Sequence, residues 1–157
     1  MNELRKNQRF MMGHGALLLL VGGLVGFGFL FHLIGEIRVL LPWAIDYQVP
    51  GSYKAWRMTH LEAIMNGLGL WLFAATLPIL EFSPTTNRRL SIGVVIASWT
   101  FVIASFFDCI FPDSRGIKLL STTNLTNDIA VWLFVVGIVI YFTVWIKIAR
   151  ACFRTSD

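Results

Sequence analysis

Residues Phe10–Gly35 read FMMGHGALLLLVGGLVGFGFLFHLIG and carry no ionisable side chain except His14 and His32. At about 1.5 Å rise per residue, this run exceeds the roughly 20 residues that cross a hydrocarbon core of about 30 Å. Lipid offers no hydrogen-bond partner to a free amide, so the run must be a helix. Three similar stretches follow, at about 56–80, 90–111 and 129–148, and the first of these crowds polar groups into its opening turns. The whole composition agrees. Hydrophobic residues make up 56% and charged residues 14%, against about 25% charged in soluble domains. With a mean hydropathy of +0.68, the chain is expected to be an all-α, four-transmembrane-helix bundle. Its 157 residues form a single integral membrane domain. A soluble globule, a disordered chain, a disulfide-stapled secreted module and a nucleic-acid-binding domain are excluded on the same figures. No cleavable signal peptide is expected, because the first apolar run is too long and lacks a small-residue cleavage pattern.

Basic residues set the orientation. Arg5, Lys6 and Arg9 precede the first helix, Arg88 and Arg89 lie in the second loop, and Lys147, Arg150 and Arg154 end the fourth. Together they are eight of the 13 Lys and Arg residues, which places both termini in the cytoplasm by the positive-inside rule. A bacterial inner membrane is the expected location. The first loop, Leu41 to Lys54, holds Pro42, Trp43, Asp46, Tyr47, Pro50 and Gly51 and is long enough to fold over the outer mouth of the bundle. Ser83-Pro84-Thr85-Thr86-Asn87 reads as a short turn, and the polar stretch Ser121 to Asn127 as a cap for the fourth helix. Cys109 and Cys152 fall a bilayer apart, too far for a disulfide.

Ionisable side chains within membrane helices cost roughly 2.5–3.5 kcal/mol each on insertion scales, so each needs a reason. His32, Glu36, His60, Glu62 and Asp108 gather toward the outer end of the bundle, with Asn66 as a polar companion, whereas His14 lies near the opposite face. Glu62 and Asn66, one turn apart, share a helix face, and His60 lies away from it in line with Ile64 and Gly67. His60 admits two readings, a cofactor ligand or an interfacial histidine bonded to a carbonyl. Gly67 likewise either leaves room for a flat cofactor beneath that histidine or lets two helices approach closely, the commoner use in membranes. Gly15, Gly22 and Gly26 form a small-residue strip that reads as a helix contact, and His14 between Gly13 and Gly15 as an interfacial residue. Asp108 and Glu36 are close enough to helix ends to reach water. Trp71, Trp99, Trp132 and Trp145 either line an aromatic pocket or face lipid. No phosphate-binding loop, G-x-S-x-G, H-E-x-x-H or C-x-x-C-H motif occurs. Three histidines without a thiolate cluster do not suit a protein-only zinc or copper site, but one histidine suffices for haem.

Met12-Gly13-His14-Gly15, Val49-Pro50-Gly51-Ser52, Trp56, His60 and Asn66-Gly67 occur in this order, followed by Trp99, Pro112, Arg115-Gly116 and Asp128-Ile129. This series resembles the styrene oxide isomerases, small four-helix membrane enzymes, with Val49 to Gly67 as its most diagnostic block. The resemblance implies a homotrimer in the lipid bilayer, with haem b at the subunit interfaces and one second-helix histidine on the iron. It also implies a small hydrophobic epoxide as substrate. Ferric iron would act as a Lewis acid on the epoxide oxygen. The benzylic C–O bond would open and a 1,2-hydride shift give an aldehyde, a Meinwald rearrangement without net redox change. On this chain His60 falls on the iron ligand, with Gly67 beside it on the cofactor side. Asn66 falls on the residue that positions the epoxide oxygen. Ser105 stands where the family has a catalytic tyrosine, Glu62 where it has a small residue, and His32 where it has asparagine. Restoring tyrosine at 105 would then speed styrene oxide turnover, given room. Three other readings compete. They are a bis-histidine electron-transfer protein using His60 and His32, an enzyme that acts on another epoxide or hydrolyses one with Glu62 as base, and a cofactor-free bundle.

Overall fold

The structure is a computed structural model that describes residues 3–38, 43–111, 114 and 124–153. Pro112, Arg115-Gly116, Leu41-Pro42, Ser121–Thr123 and Arg154, all weighed above, lie outside the described residues. Four helices dominate: α1 (Glu3–Ile34), α2 (Tyr53–Thr76), α3 (Pro84–Ile110) and α4 (Leu125–Cys152). All four are long and apolar enough to cross a membrane, α2 being counted with the 3₁₀ turn Leu77–Leu80 that extends it. The chain is a multi-pass integral membrane protein.

Each helix starts before the apolar run that announced it, because the backbone stays helical through the headgroup layer until a cap stops it. Ser52 and Ser83 accept from Ala55 N and Thr86 N, and Asn124 accepts from Thr126 N, each closing a first turn. Pro84 to Asn87 is therefore not a turn but the opening of α3, with Pro84 in the first turn, where its missing N–H costs nothing. Asn124 does cap α4, as the polar stretch suggested. At the opposite end of the bundle from Asn124, Asn7 Nδ2 donates to Asn87 Oδ1 across the α1–α3 contact at 3.1 Å.

Helix α1 packs mainly on α2, α4 mainly on α3, and α2 and α3 meet in the middle. Glycines set the α1–α2 seam. A Cβ at Gly67 would stand 2.9 Å from Gly15 O and from Leu19 Cγ, and one at Gly15 would meet the Trp71 ring at 2.5 Å. One at Gly22 would meet Ile64 at 3.0 Å. The small-residue strip is thus a helix contact, and van der Waals packing of close backbones holds it in lipid. Leu18, Ala63, Leu70 and Val94 are fully buried where the helices converge.

The first loop folds back over the bundle, and each residue of Val49-Pro50-Gly51-Ser52 has a task there. Val49 O accepts from His32 Nδ1 at 2.9 Å, and Pro50 O accepts from Trp56 Nε1 at 2.8 Å. Gly51 takes φ +106°, and a Cβ there would run into Cys109 O, so only glycine fits. Ser52 is the α2 cap. Two short strands, β1 (Glu36–Ile37) and β2 (Ile45–Asp46), pair antiparallel across the loop. Cys109 is buried and Cys152 exposed, both as free thiols.

Candidate functional site

Helix α2 carries the candidate residues on two different faces. On the α1 side, His60 Nδ1 lies 2.8 Å from Gly22 O. A carbonyl oxygen only accepts, so the proton sits on Nδ1 and Nε2 keeps its lone pair. Gly26 makes the space for this ring, since a Cβ there would stand 2.9 Å from His60 Cε1. The carbonyl-bonded reading of His60 is what the structure contains, and it is also the orientation of a metal-ligating histidine, whose second nitrogen donates to an outer partner.

The other histidines differ. Trp99 Nε1 donates to His14 Nδ1 at 3.1 Å, tying α1 to α3. That bond uses the ring's lone pair and leaves His14 none for a metal. His32 bonds Val49 O through Nδ1 and stacks on Trp56 with ring centroids 6.4 Å apart. Trp56, packed against Gly28, occupies the level between His32 and His60. A flat macrocycle bridging these two imidazoles within one chain would have to displace that buried indole.

On the far face of α2 lies an open groove of about 640 Å³, within the roughly 300–1,000 Å³ usual for ligand sites. Met65 and Leu72 of α2, Phe101 of α3, and Phe134 and the Tyr141 ring of α4 give it largely apolar walls; Glu62, Asn66 and the Tyr141 hydroxyl are its polar groups. Ser105, fully buried on α3, donates its hydroxyl to Glu62 Oε2. Beside it the Thr59 hydroxyl donates to Ser105 O at 2.7 Å, locking the α2–α3 register. Asn66 Nδ2 donates to Glu62 O at 2.9 Å.

The structure thus brings Glu62, Asn66 and Ser105 together and holds His60 apart. At about 100° per residue, Asn66 lies about 120° and Glu62 about 160° around α2 from His60. Gly67 shares the His60 side, but Gly15 and Leu19 fill the space beside it, which gives it the helix-packing role of its two readings. Asp108, near the end of α3, is half-buried; its Oδ1 is buried and has no hydrogen-bond partner among the described residues. Glu36 is paired with Arg38 at 2.9 Å.

The aromatic lining comes from Phe101, Phe134 and Tyr141. None of the tryptophans singled out in the sequence takes part. Trp71, Trp132 and Trp145 are exposed at 43%, 56% and 44%, as lipid-facing residues would be. Helical phase could have grouped Phe101 with Ser105, one turn later on α3, but not matched them to α4. Tyr141 lies two turns beyond Phe134.

Comparison with known proteins identifies the family. The family model described as styrene oxide isomerase matches residues 7–153. A styrene-oxide isomerase of Pseudomonas fluorescens is 30% identical over 110 residues, covering 70% of this chain and 64% of that relative. The chain thus spans somewhat less than two thirds of the length of the curated relative it matches. The matched region takes in all four helices, the loop over their mouth, His60 and the groove, so the chain belongs to the styrene oxide isomerase family.

Proposed function

We propose that the chain is a membrane-embedded epoxide isomerase that turns an aryl epoxide of the styrene oxide type into an aldehyde, using haem b held by His60. The observation that carries this reading is the division of labour around α2. An imidazole with a free Nε2 lone pair stands on one face, and an apolar groove with an amide and a carboxyl stands on the other. One histidine is enough for haem, whose porphyrin supplies the four equatorial nitrogens. Bound there, ferric haem b supplies a Lewis acid for the epoxide oxygen with no net redox change.

The chain's own residues do the rest. Gly22 O holds the His60 Nδ1 proton, which fixes the tautomer and strengthens Nε2 as a donor to the metal. Asn66 spends one amide hydrogen on Glu62 O and keeps the other to orient the epoxide oxygen. Phe101, Phe134 and Met65 keep water from the benzylic carbon as its C–O bond opens. In their place, water would trap it as a diol.

A site shared between copies of the chain follows from the same geometry. His60 and the groove diverge around α2, so one chain does not turn both toward one bound group. When the His60 face of one copy meets the groove face of the next, the contact is heterologous, and such contacts give a ring when the rotation between copies closes, not a two-fold dimer. A homotrimer with haem at each interface is the ring this family resemblance implies. In this reading the membrane is a bacterial inner membrane, and the excess of basic residues at both ends and in the second loop supports cytoplasmic termini.

The test is product identity. Detergent-purified, haem-loaded protein given styrene oxide is expected to release phenylacetaldehyde, of the same mass as the substrate. A diol one water heavier would contradict rearrangement and favour hydrolysis with Glu62 as base.

A further inference from the structure

Glu62 and Asn66 are the polar side chains that α2 sends into the groove, with the Tyr141 phenol on the α4 wall, and the first two are short of partners. Glu62 Oε2 takes the Ser105 hydroxyl, whereas no described residue bonds Oε1. The Asn66 amide donates to Glu62 O and leaves its own carbonyl oxygen unpaired among the described residues. Ser105 is fully buried and Thr59 fixes its backbone, so the Glu62 carboxyl cannot swing away from the groove without losing that bond.

A ligand that presents only hydrocarbon here covers a carboxyl oxygen without pairing it, and an unpaired buried polar group is costly. A hydroxyl removes the conflict. It donates to a carboxylate or accepts from a carboxylic acid, so it suits Glu62 in either protonation state. Sites built to hydrogen-bond a substrate hydroxyl reject analogues that lack it.

We propose that Glu62, held by Ser105, is a specificity-determining residue that selects aryl epoxides carrying a hydroxyl group on or beside the ring. The proposal rests on the epoxide reading above and names its substrate class. Glu62 and Asn66 are one turn apart, about 6 Å along the helix. An epoxide oxygen oriented by Asn66 therefore leaves the opposite side of the ring, with its hydroxyl, at Glu62.

Binding and turnover test this separately. Two unreactive probes, 3-ethylbenzyl alcohol and 3-ethyltoluene, are titrated by tryptophan fluorescence into the haem-loaded protein and its Glu62→Leu and Glu62→Gln variants. Because detergent takes up both probes, the readout is the ratio of variant to unaltered protein for each one. Glu62→Leu is expected to weaken the alcohol at least tenfold and to strengthen ethyltoluene, and Glu62→Gln, which keeps an acceptor, to hold the alcohol within threefold. In turnover, kcat/KM for 3-(hydroxymethyl)styrene oxide over styrene oxide should fall in the same proportion in Glu62→Leu. If Glu62→Leu leaves both probes unchanged or weakens both equally, the proposal is overturned. A binding preference that follows Glu62 while neither epoxide is isomerised would uphold the hydroxyl-selective groove and refute the epoxide reading.

Discussion

Replacing His60 by alanine is expected to give a folded protein that carries no haem and isomerises no epoxide above background. The ring is held by Gly22 O on one nitrogen and seated against Gly26, and its other nitrogen has no partner among the described residues. Removing it deletes the metal ligand and leaves a small gap at a helix contact, while Gly22 O keeps its bond within α1; the loss of about 1–3 kcal/mol is one a four-helix bundle should survive. His60→Gln tells the two effects apart, because its amide can still donate to Gly22 O but is a poor iron ligand. It should fold like the unaltered protein and still lack haem. His14→Ala should keep its haem, since the His14 lone pair is occupied by Trp99. Haem content by pyridine haemochrome, set against helicity by circular dichroism, is the measurement. A full haem load in His60→Ala would refute the assignment.

The second large effect concerns Ser105. The sequence suggested that tyrosine at this position would improve styrene oxide turnover if there were room, and the structure shows that the room is taken. Ser105 is fully buried and its hydroxyl meets the Glu62 carboxyl. Adding a phenol ring there overpacks the α2–α3 seam, which typically costs about 1–3 kcal/mol and at a site this tight falls at the upper end. Ser105→Tyr alone is therefore expected to lower the thermal midpoint clearly and to lose activity. Ser105→Tyr combined with Glu62→Ala removes the obstructing carboxyl. The double variant should recover most of the stability and isomerise styrene oxide faster than the starting protein. The two substitutions would then be strongly non-additive, the signature of side chains competing for one space. Additive losses would mean that Glu62 and Ser105 act independently.

The four membrane helices were legible because apolar runs bounded by charge are a direct record of bilayer thickness. Their starts were less so: Pro84-Thr85-Thr86-Asn87 has the composition of a turn and becomes a helix opening once Ser83 caps it. Helical phase correctly joined Glu62 with Asn66 and separated His60 from them. Phase within one helix says nothing, however, about which residue of another helix lies opposite. The Glu62–Ser105 contact and the Phe101, Phe134 and Tyr141 walls emerged only when α2, α3 and α4 were packed together. Gly67 shows the same limit. Its alignment below His60 suited a cofactor as well as a helix, and the neighbour that decides between them, Gly15, comes from α1.

The most direct measurement is the ferric absorption spectrum of protein purified in detergent from haem-replete cells. Ligation by His60 alone requires a Soret band with one haem per chain, high-spin, shifting when an epoxide or amine is added because the sixth iron position is open. A low-spin spectrum indifferent to added ligand would mean two protein ligands and electron transfer, and a colourless folded protein would remove haem from the mechanism altogether.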